Sequence, residues 1–279
     1  MLLPALTLAA ALAAQQAALQ RPDSIVIPSG DMMRLYTDCG EARWPYGTGE
    51  QLIPKTRGEL DSGIVRRTAL EAAWSAWFIA QAGDSIPLTP KSEWHFPLEA
   101  PGRLLNNYRS PRPGGIHAAL DIFVPEEGVL VRSPVSGVVV GVGDGWRGGY
   151  EQGGRGFYYE GDGLSRRAGN AVILFEPGNG GYVLFSHMQE GILVRAGDVI
   201  AAGTPIGRVG HTGNAIRPGR GKHLHIAYKE PGRGCGVDGV LVPLNPYRFV
   251  RAARDREYPR LAAPAPRPAR ASGRAPSRP

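Results

Sequence analysis

Lys222-His223-Leu224-His225-Ile226-Ala227-Tyr228 is a strand-like run that places one histidine two residues after another. In a strand, residues two apart project from the same face, so both rings can reach one site. Two further histidine patches lie upstream, Ser186-His187-Met188 and His117-Ala118-Ala119-Leu120-Asp121. The chain has only 6 histidines, and four of them fall in these short patches within apolar, β-rich sequence. A lone histidine at a strand end is commonly a packed core residue, but the three ordered patches together point to a site. Zinc accepts neutral imidazole nitrogens and carboxylate oxygens, and a catalytic centre uses three protein ligands and keeps a fourth position open. His117, Asp121 and one of the pair His223 and His225 would make such a set. The i,i+4 spacing of His117 and Asp121 suits a helix, but Gly114-Gly115 precedes it and Asp121-Ile-Phe-Val-Pro125 follows. That context predicts a loop entering a strand, with the two ligands converging through a backbone bend.

With these motifs in this order, the chain resembles the lysostaphin-type (LytM-like) zinc metallopeptidases, which cut peptides in bacterial cell walls. The family pattern is His-x-x-x-Asp, then a histidine after a hydrophobic strand, then His-Leu-His. Here these are His117 and Asp121, Phe185-Ser186-His187-Met188, and His223-Leu224-His225. More matching text lies between them in Ser133-Pro-Val-Ser-Gly-Val-Val-Val140, Gly169-Asn-Ala-Val-Ile-Leu174 and Val194-Arg-Ala-Gly-Asp-Val-Ile200. The resemblance spans roughly residues 96–250. It implies a mainly β fold, a compact antiparallel β-sheet peptidase domain of barrel-sandwich or duplicated hybrid type, preceded by a small N-terminal region with one helix. It also implies His117, Asp121 and His225 as ligands of one zinc ion, with His187 and His223 beside the metal as catalytic groups. The implied substrate is peptidoglycan, cut at cross-links or stem peptides. A noncatalytic wall-binding or hydrolase-activating domain on the same fold is the alternative. A carrier domain, suggested by the turn at Val194-Arg-Ala-Gly-Asp-Val-Ile200, fails for want of a lysine at the hairpin tip.

Several residues depart from the pattern or lie outside it. Ala119 stands where the family usually has glycine, and a side chain there would be strained at positive φ. The loop Gly210-His-Thr-Gly-Asn-Ala-Ile-Arg-Pro-Gly-Arg-Gly-Lys222 is longer and more basic than the family's turn, so the cleft rim and substrate choice are expected to differ. His211 in that loop is a candidate for substrate contact, whereas His95 matches no motif and reads as a solvated or packing residue. The glycine-rich stretch 143–160 reads as an extended loop, from which Trp146, Tyr150 and Tyr158 could line the cleft.

The N-terminal 14 residues, Met1-Leu-Leu-Pro-Ala-Leu-Thr-Leu-Ala-Ala-Ala-Leu-Ala-Ala14, are apolar and contain an A-x-A pattern. They read as a signal peptide without the usual basic start, and are too short to span a bilayer. A periplasmic or secreted protein with no transmembrane segment is therefore expected. Residues 15–95 form an N-terminal region in which four prolines break residues 15–57, and a helix runs from about 62 to 82. On that helix Trp74, Trp77 and Phe78 make one apolar face. The net charge is +7, but residues 259–279 carry five arginines and no acid, leaving +2 for the rest. The charge is thus no nucleic-acid signal. Residues 251–279, rich in Pro, Ala and Arg, read as a disordered tail that could be tethered electrostatically to anionic envelope polymers. The 2 cysteines, Cys39 and Cys235, stand in no metal-binding spacing and could form one disulfide in an oxidising compartment.

Overall fold

The computed structural model describes residues 57–112, 115–150, 157–217, 219–231 and 241–262. The expected signal peptide, both cysteines and the end of the basic tail lie outside these residues. Helix α1 (Arg57–Ala82) leads into β1 (Arg103–Leu104), β2 (Pro111–Arg112), β3 (Gly115–Ile116), β4 (Leu120–Phe123) and β5 (Leu130–Arg132). Then come β6 (Gly137–Gly143), β7 (Trp146–Tyr150), β8 (Phe157–Gly161), β9 (Asn170–Glu176) and β10 (Gly181–Met188). Next follow β11 (Val199–Ile200), β12 (Pro205–Arg208), β13 (His223–Pro231) and β14 (Leu241–Leu244), and helices α2 (Tyr247–Glu257) and α3 (Pro259–Ala262) close the described chain. No helix among the described residues is long and apolar enough to cross a membrane.

The main sheet is antiparallel and runs β1-β4-β13-β10-β9-β6-β11. One edge of β13 pairs with β10, and the other is shared, with β4 against its first half and β14 against its second. Strand alternation then divides the sheet into two faces. Leu224, Ile226 and Tyr228 of β13, Val183 and Phe185 of β10, and Val172 and Leu174 of β9 are fully buried on the inner face. They share one core with Val131 of β5, Ile206 of β12, Trp94, Phe96 and Leu98, and Val250 and Ala253 of α2. Glu257 ties α2 down by accepting from the Phe96 backbone N–H at 2.7 Å and from Arg132 at 2.9 Å. The expected domain edge at 250 therefore falls inside a packed helix. Val250 and Ala253, three residues apart, give that arginine-rich segment an apolar side that its composition conceals.

The outer face carries His223, His225 and Lys229 on β13 and Tyr182 and Ser186 on β10. Helix α1 covers part of this face. Trp74 and Phe78 are buried against Val138, Val140, Phe175, Tyr182 and Leu241, and the Trp77 Nε1–H donates to the Gly197 carbonyl at 3.0 Å. Glu71 accepts from the Tyr182 hydroxyl at 2.9 Å and from Arg67 Nε at 2.8 Å. The helix begins at Arg57, earlier than the sequence suggests, and ends before Gly83 with φ 50°, a conformation suited to glycine at a helix end. The glycine-rich stretch after residue 143 forms the antiparallel hairpin β7–β8, where the sequence suggested an extended loop. Cross-strand pairing of Trp146–Tyr150 with Phe157–Gly161 outweighs the low strand propensity of glycine there.

Lys229 is 9% exposed and has no ion pair among the described residues. Burial alone pushes its ammonium down to about 8. Between that value and the ordinary ~10.4 the unfolded chain binds a proton that the folded one does not, so stability rises with pH across this window. Lys229→Met is expected to raise stability at pH 7 by about 2 kcal/mol and to abolish the gain between pH 8 and 10. Thermal unfolding at both pH values checks this.

Candidate metal centre and cleft

The first ligand pair is set by local chain geometry. β2 and β3 form a hairpin, the chain leaves it at His117, and β4 begins at Leu120. Asp121 then pairs directly across from His225. Ala119 is buried at 1% exposure and is absent from the residues with positive φ. The alanine is thus accommodated without the strain a left-handed backbone would impose.

Three donor atoms converge. His117 Nε2 lies 3.2 Å from Asp121 Oδ1, His225 Nδ1 lies 3.1 Å from the same oxygen, and the two nitrogens are 3.2 Å apart. Donors about 2.0–2.1 Å from a tetrahedral zinc stand about 3.3–3.4 Å from one another, so this triangle matches the edge length of such a site. His117, Asp121 and His225 are also the one His/Cys/Asp/Glu group with metal-holding geometry among the described residues. Their chemistry fits the ion. His117 Nδ1 donates to the Asn107 carbonyl at 3.1 Å, which leaves the Nε2 lone pair free. Asn107 Nδ2 and an Arg112 guanidinium nitrogen donate to Asp121 Oδ2 at 2.9 and 3.0 Å, leaving Oδ1 for the metal.

Charge states agree with this use. Burial works against ionisation of Asp121, yet its contacts with His117 and His225 outweigh it and hold the carboxyl well below the usual range. Burial lowers His225, opposed by its bond to Asp121, and keeps the ring neutral. A neutral imidazole and an ionised carboxylate are the forms that bind a divalent metal.

His187 and His223 complete the site. His223 Nδ1 donates to the Gly221 carbonyl at 2.6 Å, and its Nε2 is 3.7 Å from Asp121 Oδ1. By alternation from Ser186, which pairs with His225 on the outer face, His187 should point inward. It does not, because the β9–β10 register shifts between Phe185 and Met188 and His187 takes φ 64°. This bulge turns the ring to the outer face, with centroids 4.9 Å from His223 and 5.4 Å from His225. Its Nδ1 donates to the Thr212 carbonyl at 2.9 Å. Both rings therefore carry their free lone pair on Nε2. Burial depresses His187 well below its ordinary value, reinforced by His225 and His223, and burial likewise lowers His223 against the pull of Asp121.

Beside His187 opens a cavity of about 590 Å³ lined by Trp146, Asn170, Gln189, His211, Thr212 and Ile216, among others. His211 lines this cavity, its Nε2 donating to the Arg220 carbonyl at 3.1 Å. The side chains of Tyr150 and Tyr158 lie outside the described residues. His95 is half-exposed and sits 3.7 Å from Glu257, the acid that ties down α2.

Asn107 and Arg112 carry no motif signal, since only the hairpin brings them to Asp121. Asn107 has an additional role, because its Oδ1 accepts the Asp121 backbone N–H at 3.1 Å. Asn107→Ala is expected to weaken zinc binding about 10–100-fold, a usual cost of losing a residue that orients metal ligands. Competition with a chromogenic chelator measures this.

Residues 115–236 match the model of peptidase family M23. Among solved structures, the catalytic domain of the antimicrobial peptidase lysostaphin from Staphylococcus simulans is 22% identical, with 54% of this chain and 92% of that one covered at a TM-score of 0.38. A putative glycyl-glycine endopeptidase lytM from Ruminococcus gnavus is 17% identical, covering 74% of this chain and 76% of that one at 0.44. A zinc containing peptidase from Vibrio cholerae is 20% identical, covering 57% and 38% at 0.34.

Proposed function

We propose that this chain, whose residues 115–236 match the model of peptidase family M23, is an exported zinc endopeptidase that hydrolyses peptide bonds in bacterial peptidoglycan. The observation that carries the reading is the convergence of His117 Nε2, Asp121 Oδ1 and His225 Nδ1 within 3.1–3.2 Å of one another, beside two further buried histidines. Export rests on the apolar N-terminal segment and its A-x-A pattern.

His117, Asp121 and His225 would hold the ion. When bound, zinc polarises the scissile carbonyl and lowers the pKa of a water to about 7. The protein's own part is proton handling. Because Thr212 and Gly221 carbonyls hold the Nδ1 hydrogens of His187 and His223, each neutral ring offers Nε2 as an acceptor. One of them takes the proton of the attacking water, and a ring so protonated donates to the developing oxyanion or to the departing amine. Holding both imidazoles by backbone carbonyls fixes tautomer and orientation before substrate arrives.

Digestion of purified wall sacculi with the full chain tests this. An endopeptidase releases fragments bearing new α-amino groups and no new reducing sugar ends, and loses activity to a chelator until zinc is restored. Sacculi that bind the protein but yield no new amines at any zinc concentration would replace the reading with a noncatalytic wall-binding one.

A further inference from the structure

We propose that the free edge of β7 is a substrate-binding rail, on which an extended stretch of the wall peptide adds as a third strand and is read through its backbone. The inference rests on the peptidase reading and adds to it how the substrate is held. β7 pairs with β8 along one edge, with Trp146 opposite Gly161, Gly148 opposite Tyr159 and Tyr150 opposite Phe157. Among the described residues no strand pairs with its other edge.

The direction of the backbone groups follows from one hydrogen bond. The Trp146 N–H donates to the buried Asn170 Oδ1 at 2.8 Å, so it points away from β8. Backbone groups of an antiparallel strand alternate in direction residue by residue, so Arg147 and Gly149 are the residues that bond β8. Gly148, two residues beyond Trp146, therefore turns its N–H and C=O to the free edge. That edge opens on the cavity of about 590 Å³, which Gly148 lines together with Gln189, Thr212 and Ile216. The volume lies within the range of ordinary ligand sites, about 300–1,000 Å³. A strand edge with unmet N–H and C=O groups is a template for a further strand. Glycines at 148 and 149 put no side chain in its way, and glycine inside a strand commonly marks the close approach of another backbone.

The rail shares its anchor with His187. Asn170, which takes the Trp146 N–H, donates its own backbone N–H to Thr212 Oγ1 at 3.0 Å, and the Thr212 carbonyl accepts from His187 Nδ1 at 2.9 Å. Asp144, two residues before β7, accepts from the Gly191 and Ile192 N–H groups at 3.1 and 2.9 Å. It thereby ties the strand to the segment whose Gln189 and Glu190 form another wall of the cavity. The edge is thus fixed relative to His187 before substrate arrives, which lowers the cost of binding. Main-chain pairing gives affinity without demanding particular side chains, so the ligand class is an extended peptide with unsubstituted backbone amides.

The test uses the zinc-loaded full chain and synthetic copies of a cross-linked stem-peptide dimer, each carrying one N-methylated amide away from the scissile bond. Binding of non-cleavable versions is measured by calorimetry, and KM and kcat on the cleavable ones. Methylation at one position, or at positions two residues apart, is expected to weaken binding and raise KM about tenfold, as loss of a backbone hydrogen bond in a desolvated site allows, with intervening positions much less affected. Gly148→Pro places a proline ring on the free edge without removing a bond to β8. It should weaken binding of the unmethylated peptide about tenfold, cut the methylation penalty to within about twofold, and leave zinc content and melting temperature unchanged. The scan on wild type stands independently of how that variant folds. Uniform affinity across the scan, or a position-specific penalty that Gly148→Pro leaves intact, would overturn the proposal. So would tight binding of peptide-free glycan strands that Gly148→Pro abolishes. If no peptide is cleaved, the peptidase reading fails separately, and the calorimetric scan still decides whether the rail exists.

Discussion

His225→Ala is expected to lose both zinc and turnover, whereas His223→Ala keeps the zinc and loses turnover. Structural zinc binding is worth about 10–16 kcal/mol over four ligands, so one ligand carries roughly 3–4 kcal/mol and its removal weakens binding about 10²–10³-fold. His225 supplies Nδ1 to the donor triangle, the one group with metal-holding geometry among the described residues. His223 lies on the same strand face but offers its Nε2 at 3.7 Å from Asp121, outside the triangle. Loss of a positioned proton acceptor costs about 10²–10⁴ in rate. Equilibrium dialysis with metal analysis, beside an amine-release assay, separates the two outcomes. Equal zinc loss in both variants would remove the distinction between ligand and catalytic histidine.

Gly169→Ala is expected to damage the site through the loop that holds His187. Gly169 has φ 70°, and a Cβ there would lie 2.3 Å from Thr212 Oγ1 and 2.5 Å from the Gly213 nitrogen. The second neighbour is backbone and cannot swing aside. Relief requires the loop at 212–213 to move, and Thr212 holds the site twice over. Its carbonyl orients His187, and its hydroxyl accepts from the Asn170 N–H at 3.0 Å while donating to the Met188 carbonyl at 2.8 Å. The expected cost is about 3 kcal/mol of stability, from left-handed strain and overpacking together. Turnover should fall about 10²-fold through misplacement of His187, with zinc binding much less affected. Thermal melts and wall-peptide release measure the two effects. A variant with wild-type melting and rate would show that this loop yields freely.

Parts of this arrangement are legible in the sequence because their physics is local. Alternation in Lys222–Tyr228 places His223 and His225 on one face whatever surrounds them, and the glycines and proline flanking His117 and Asp121 exclude a helix. Trp74, Trp77 and Phe78 mark the packed side of α1 for the same reason. What was not legible depends on pairing between distant strands. Nothing near His187 announces the bulge that reverses its direction, because the register shift arises between β9 and β10. Asn107 and Arg112 meet Asp121 only after the β2–β3 hairpin closes. The hairpin β7–β8 is hidden by glycine, and α2 by arginine, since in both cases composition masks the contacts that stabilise the element.

A zinc titration of the metal-stripped full chain, read by amine release from wall sacculi, tests whether a single zinc centre drives peptide hydrolysis. Activity is expected to rise linearly and to break at one zinc per chain. Absence of activity at every ratio, or a break at two or more, would contradict it.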